Sequence, residues 1–174
     1  MENWELLDGI RARRSVRSYS ERPVEQDKID LLLECACAAP SAANRRPWHF
    51  VVIRERRTLN ALAEAHPYAK MLLQAPLAVA VCGAILHEGH ENPWWEEDCA
   101  AAMQNILLAA EGLGLNSVWL GVRWGRDDLP EKIEALLGVP QGIRVMGIAA
   151  IGYGAENKPP HRGIDEGAVH LERW

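Results

Sequence analysis

The segment from Asn92 to Gly114 constrains this chain more than any other, because it reads as one long helix with almost no polar face. Asn92 and Pro93 supply a start signal, Glu96, Glu97 and Asp98 complement the positive helix end, and Gly114 supplies the stop. Between them Cys99, Ala100, Ala101, Ala102, Met103, Ile106, Leu107, Leu108, Ala109 and Ala110 leave hardly any polar surface. Such a helix has to be buried on every side. A chain of 174 residues has the size of one compact domain, residues 1–174, and can enclose one central helix. The small alanines also suit close approach of a second copy, and an obligate dimer is the expectation. The tail from Tyr153 to Trp174 points the same way. Pro159, Pro160 and its glycines forbid a long helix, and it ends in an alternating Val169 and Leu171, so this arm needs a surface to lie on.

The remaining pattern is mixed. Helices are expected over residues 2–13 through Trp4, Leu7 and Ile10, over 25–39 through Ile29, Leu32, Leu33 and Ala36, and over 58–65. Asp128 is expected to cap a further helix with Ile133, Leu136 and Leu137 inward and Gly138 just past its end. Residues 48–53, 77–82, 117–122 and 143–151 are short apolar runs bounded by turn signals, each suited to a strand. Helices and strands do not alternate strictly, and no repeat or linker divides the chain.

Several function classes fall away. The net charge of −5 disfavours a nucleic-acid or anionic-membrane surface. Residues 1–60 carry 11 Lys/Arg against 9 Asp/Glu, whereas the remainder carry 8 against 15, so an anion site belongs near the N-terminus. The longest apolar run, Ala75 to Leu86, is too short to span a bilayer, and the acidic N-terminus does not resemble a signal peptide, so a cytoplasmic protein is expected. Cys35, Cys37, Cys82 and Cys99 contain no C-x-x-C pair and read as reduced, mostly buried thiols. Gly112-x-Gly114-x-x-Ser117 lies after a helix and before a strand, the reverse of the order a dinucleotide fingerprint needs. No serine-hydrolase elbow is present, and His87, Glu88, His90 and Glu91 read as a solvated loop rather than a metal motif. No metal is expected.

Two segments carry chemistry. Arg13-Arg14-Ser15-Val16-Arg17 sets three guanidinium groups and a hydroxyl where the first helix gives way to extended chain, a donor set suited to phosphate or an acceptor-rich ring. Pro40-Ser41-Ala42-Ala43-Asn44 is a loop of small residues that leads through Arg45, Arg46 and Pro47 into Trp48. Together with the Asp98-to-Gly114 helix, Trp119-Leu120-Gly121-Val122, and the tail from Ile151-Gly152-Tyr153 through Lys158-Pro159-Pro160-His161-Arg162, these segments resemble the FMN-dependent nitroreductase family, particularly its short members. The resemblance covers nearly the whole chain.

That resemblance implies an α+β homodimer, with a central antiparallel sheet flanked by helices and completed by the partner's C-terminal arm, and FMN at the interface. Arg13, Ser15 and Arg162 would hold the FMN phosphate and ribityl chain, with Arg14 nearby and Lys158 and His161 as helpers. Arg17 would reach the pyrimidine side of the ring, where positive charge favours the reduced, anionic form. Pro40, Ser41, Ala42 and Asn44 match the loop that the other subunit lays against the flavin, and Leu120 and Gly121 match the strand end whose amide faces N5. Lys70 is a looser match to a ring contact. Ala43 and Arg46 stand where the family usually has glycine and glutamine, and Arg123-Trp124 replaces an aromatic-proline pair. Trp94, Trp95, Trp119 and Trp124 are candidate stacking walls. The implied activity is ping-pong hydride transfer from NADH or NADPH to an electron-poor small molecule, such as a nitroaromatic or quinone, without a catalytic acid or base from the protein. The alternatives are specialised flavin chemistry on the same fold, namely reductive dehalogenation or flavin fragmentation, and a low-turnover flavin-binding protein.

Overall fold

Four strands form one antiparallel sheet with helices packed on both faces. The computed structural model describes residues 4–122 and 128–174. Helix α1 covers Trp4–Ala12, α2 Gln26–Cys37, α3 Arg56–Ala65, α4 Trp95–Gly112 and α5 Leu129–Leu137. The strands are β1 Trp48–Ile53, β2 Leu77–Ala84, β5 Asn116–Gly121 and β6 Ile143–Gly152, in the spatial order β1-β2-β6-β5. A two-residue hairpin, β3 Leu86–His87 with β4 His90–Glu91, stands apart. All four strands expected from the apolar runs are present, and every neighbouring pair is antiparallel.

Strand β2 shows why the sheet must be covered twice. Its residues are buried from Leu77 to Gly83, and because side chains alternate across a strand it feeds two cores. Ala78, Ala80 and Cys82 pack with Leu59, Leu62 and Ile133 of α3 and α5, whereas Leu77, Val79 and Val81 pack with Leu32, Met103 and Ile106 of α2 and α4. Two glycines let layers approach closely. A Cβ on Gly83 would meet the Trp95 ring at 2.5 Å, and one on Gly147 would meet Trp119 Nε1 at 2.5 Å.

Several local expectations need correction. Asn92 does not cap α4, which begins three residues later at Trp95. Its side chain instead donates to the Ala84 carbonyl and accepts from Arg45, closing the end of β2, and it is buried. Asp128 sits at the start of α5 but makes no capping bond, because its carboxylate pairs with Lys132 at 2.9 Å. Leu136 faces solvent, and α5 turns Pro130, Ile133 and Glu134 inward. The Glu134 carboxylate is satisfied there by the Val145 amide at 3.1 Å and Arg144 at 3.0 Å. Helix α4 is fully buried only along Asp98, Cys99, Ala102, Met103, Ile106, Leu107 and Ala110, with Ala100, Ala101, Leu108 and Ala109 half-covered. Only two thiols are buried: Cys82 and Cys99 lie in the core, whereas Cys35 and Cys37 are exposed.

Two outcomes follow from this packing. Burial pushes the Cys82 and Cys99 thiols up to about 12, so few thiolates form at neutral pH. A thiol-disulfide reagent followed by peptide mass spectrometry will modify Cys35 and Cys37 in the native protein and reach Cys82 and Cys99 only after unfolding. Gly147→Ala will lower stability by about 1–3 kcal/mol in urea unfolding, because a methyl group has no room beneath the Trp119 indole.

Candidate functional site

Strand β5 lies at the edge of the sheet, so half of its backbone groups look away from β6. The register pairs Ser117 with Ile151 and Gly121 with Gly147, and the Val122 amide donates to the Met146 carbonyl at 3.2 Å. The alternation of an antiparallel ladder therefore spends Val118, Leu120 and Val122 on β6 and turns the backbone groups of Ser117, Trp119 and Gly121 outward. The Ser117 carbonyl accepts from the Val16 amide at 3.1 Å. At the other end the Gly121 carbonyl bonds with His66 Nε2 at 3.0 Å. The Gly121 amide and both backbone groups of Trp119 remain along the intervening edge. A cavity of about 540 Å³ opens there, lined by Glu96, Glu97, Ala100, Trp119, Gly121, Val122 and Met146.

At the Ser117 end, the N-terminal basic segment and the tail of the same chain lie side by side. Ser15 bridges to Ser117 and Tyr19 to Gly154, while the Ala155 amide donates to Ser18 and the Ser20 amide to Tyr153. Lys158 Nζ donates to the Ser15 carbonyl at 2.6 Å, Arg14 donates to the Pro159 carbonyl, and the His161 amide donates to Arg11. Glu156 accepts from the Arg17 amide at 2.5 Å and pairs with Lys158 at 3.3 Å. Arg13 is half-buried, and its charge partly offsets the burial that raises the Glu111 carboxyl. A pocket of about 230 Å³ includes Arg14, Glu111, Asn116 and Lys158, and one of about 530 Å³ includes Arg11, His161 and Arg162. Of the sequence-selected residues, Arg14 and Ser15 lie at the Ser117 end of β5 with Lys158, Arg13 lies near Glu111, Arg162 lines the neighbouring pocket with His161, and Arg17 is exposed and tied there only through its amide.

The tail is tied down where it begins. The Tyr153 hydroxyl donates to Glu25 at 2.6 Å and accepts from Lys28 at 3.1 Å, and Arg22 lies 3.9 Å above the Tyr153 ring. Further out, Ile164 is 78% and Leu171 84% exposed.

The loop of Pro40, Ser41, Ala42 and Asn44 lies elsewhere in the same chain. Residues Ala42–Asn44 form a 3-10 turn, in which Ala43 has a φ of 50°, the left-handed conformation that favours the glycine expected there. Asn44 and Arg46 share that conformation. The Ser41 hydroxyl accepts from the Arg46 amide at 3.0 Å, Asn44 accepts from Arg46 Nε at 2.9 Å, and Pro40 is exposed. Asp98 anchors the turn by accepting from the Ala42 amide at 2.8 Å. At about 100° per residue, Asp98 faces away from Glu96 and Ala100, so α4 separates this loop from the cavity at Gly121. The loop and the cavity thus meet α4 on different faces.

Lys70 is exposed at the start of a second 3-10 turn, Lys70–Leu73. Trp119 is on the cavity wall, Trp95 packs on Gly83, and Trp94 is exposed. Arg123 and Trp124 lie outside the described residues. Sequence reasoning missed His66, which belongs to no local motif, and read Asp98 only as a charge at the positive end of α4, not as the acceptor of the Ala42 amide.

A model of the nitroreductase family matches residues 10–67 and 63–153 of this chain. A Methanothermobacter thermautotrophicus protein, provisionally named NADH dehydrogenase/NAD(P)H nitroreductase, is 41% identical over 170 residues, 98% of this chain and 88% of the relative. The chain belongs to the nitroreductase family. Two solved nitroreductase-type structures agree with that. One from Bacteroides thetaiotaomicron, with the same provisional name, superposes with a TM-score of 0.92 at 40% identity over 100% of both chains. An FMN-dependent nitroreductase from Clostridium difficile gives a TM-score of 0.89 at 32% identity, covering 97% of this chain and 99% of that one. This nitroreductase-family chain is accordingly an oxidoreductase.

The anchorage of its tail predicts an acid response. The Tyr153 hydroxyl, then the Glu25 backbone and Arg22, hold the Glu25 carboxyl at about 2, below its usual 4.5. A carboxyl lowered by folding contributes stability above its unfolded value and loses it as pH falls toward the folded one. Denaturation midpoints measured from pH 6 to pH 2 will therefore show less acid sensitivity below about pH 4.5 in Glu25→Gln than in the wild type.

Proposed function

We propose that this protein is an FMN-dependent NAD(P)H oxidoreductase that works as a homodimer and reduces electron-poor small molecules. The observation that carries this reading is the division of labour along β5. An outward row of backbone groups at Trp119 and Gly121 borders a cavity at one end, and clustered cations lie beside Ser117 at the other. Four residues of extended strand separate the two ends by about 14 Å, a span suited to a flavin ring joined through ribityl to a phosphate. The chemistry that FMN supplies when bound is hydride transfer from NADH or NADPH to an acceptor such as a nitroaromatic or a quinone.

The protein's own part is orientation, charge and exclusion of water. Arg13, Ser15 and Arg162 hold the phosphate and ribityl chain, while Arg14 and Lys158 are spent partly on the tail backbone and keep that wall in place. Arg17 supplies positive charge at the pyrimidine side, and the Gly121 amide, beside Leu120, meets the reacting edge. Pro40, Ser41, Ala42 and Asn44 come from the second copy, because α4 keeps this chain's own loop away from its cavity. Three further observations favour two copies: the half-covered back of α4, the exposed Leu7 and Ile10 of α1, and the exposed apolar side chains of the tail. The β5 edge is engaged by Val16 and His66, so the outer edge of β1 is where a partner's arm completes the sheet. All four cysteines are unpaired, as in a reducing cytoplasm.

Purified protein will be yellow, release FMN on denaturation, sediment as a dimer, and oxidise NADH or NADPH when a nitroaromatic or quinone is supplied. Arg13→Ala and Arg162→Ala will each weaken FMN retention about tenfold or more, as expected for charge-assisted bonds to phosphate. Colourless monomers that take up no added FMN would overturn the reading. Yellow dimers without NAD(P)H oxidation would leave flavin binding and remove the reductase.

A further inference from the structure

His66 lies just past the end of α3, is 3% exposed, and is absent from every sequence motif that marks this family's site. Its two ring nitrogens have partners of opposite kind. The Tyr68 amide can only donate, and it points at Nδ1 from 3.1 Å, so Nδ1 accepts and carries no proton. The Gly121 carbonyl can only accept, and it lies 3.0 Å from Nε2, so the ring proton resides there. These two bonds hold the ring in one tautomer and one orientation.

The bond reaches the peptide unit between Gly121 and Val122, whose far end is already fixed because the Val122 amide donates to Met146 at 3.2 Å. Both ends of that unit are therefore clamped, one by the sheet and one by His66. Gly121 has no side chain to limit its rotation, so the second clamp narrows a range of orientations that the bond to Met146 alone leaves wider. In an extended residue the N–H and C=O lie on the same edge of the strand, and pinning one aims the other. The amide so aimed is that of Gly121, a residue of the cavity wall beside Trp119.

We propose that His66 is a positioning residue that sets the direction of the Gly121 amide, and through it the alignment of the reacting edge of the bound ring for hydride transfer. The inference rests on the flavin reading above. His66 itself touches neither cofactor nor substrate, and it acts through the Gly121 carbonyl.

Two substitutions separate positioning from packing, because each keeps one of the two bonds. In His66→Gln the side-chain amide nitrogen takes the place of Nε2 and still reaches Gly121, but the bond from Tyr68 is lost. In His66→Asn the side-chain oxygen takes the place of Nδ1 and keeps the Tyr68 bond, but nothing reaches Gly121. Stopped-flow reduction by NADH will be about tenfold slower in His66→Asn, with KM for NADH changed less than twofold, while His66→Gln stays within about twofold of the wild type. Amide exchange in the cofactor-free protein gives an independent readout. Val122 will exchange faster in His66→Asn than in His66→Gln or the wild type. Equal losses in the two variants, or no change in either, would overturn the proposal. A wild-type protein that retains no FMN would instead overturn the flavin reading, and Val122 exchange would still decide whether His66 clamps the strand end.

Discussion

The two-residue period of the antiparallel ladder on β5 is the constraint from which the site follows. Because β5 is an edge strand, every second residue must find partners outside the sheet or leave its backbone open. Ser117 is answered by Val16, which brings the basic segment onto the strand, and Gly121 is answered by His66. Between them, among the described residues, the outward backbone groups of Trp119 and the Gly121 amide have no hydrogen-bond partner, and a cavity borders that stretch. The same edge that would be an aggregation hazard if left flat and long is here shortened from both ends.

Helix α4 supplies the second constraint. Its N-terminal turn carries Asp98 on one side, tied to the Ala42 amide, and Glu96 with Ala100 on another, lining the cavity. The loop and the cavity therefore meet α4 on different faces of the helix. Its alanine-rich back is only half-covered within the chain.

Much of the fold was legible locally. Val79, Val81, Ile148 and Ile151 announce strands because runs of β-branched residues between turn signals have few other uses, and Gly138 stops α5 with a φ of 64°. The arginines and the small-residue loop proposed for the site stood out as compact motifs. His66 did not, because its meaning depends on Gly121, 55 residues later, meeting it in space. Asn92 misled for a related reason: an asparagine followed by proline suits a helix cap, but the bonds available to it at the end of β2 were better. Leu136 continued an apolar rhythm into solvent, since α5 turns Glu134 inward to satisfy the Val145 amide. Strand order was not written in any single segment.

The seat of Trp119 over Gly147 carries a consequence for how this cavity can change over evolutionary time. The indole fills the volume that any side chain at 147 would need, so residue 147 is locked for as long as residue 119 stays aromatic and in place. Reshaping this wall is therefore a path with a required order: the tryptophan must shrink first, and a side chain at 147 must then still accommodate the Leu120 carbonyl, 3.0 Å from where its Cβ would sit. A lineage that keeps the tryptophan inherits the glycine with it.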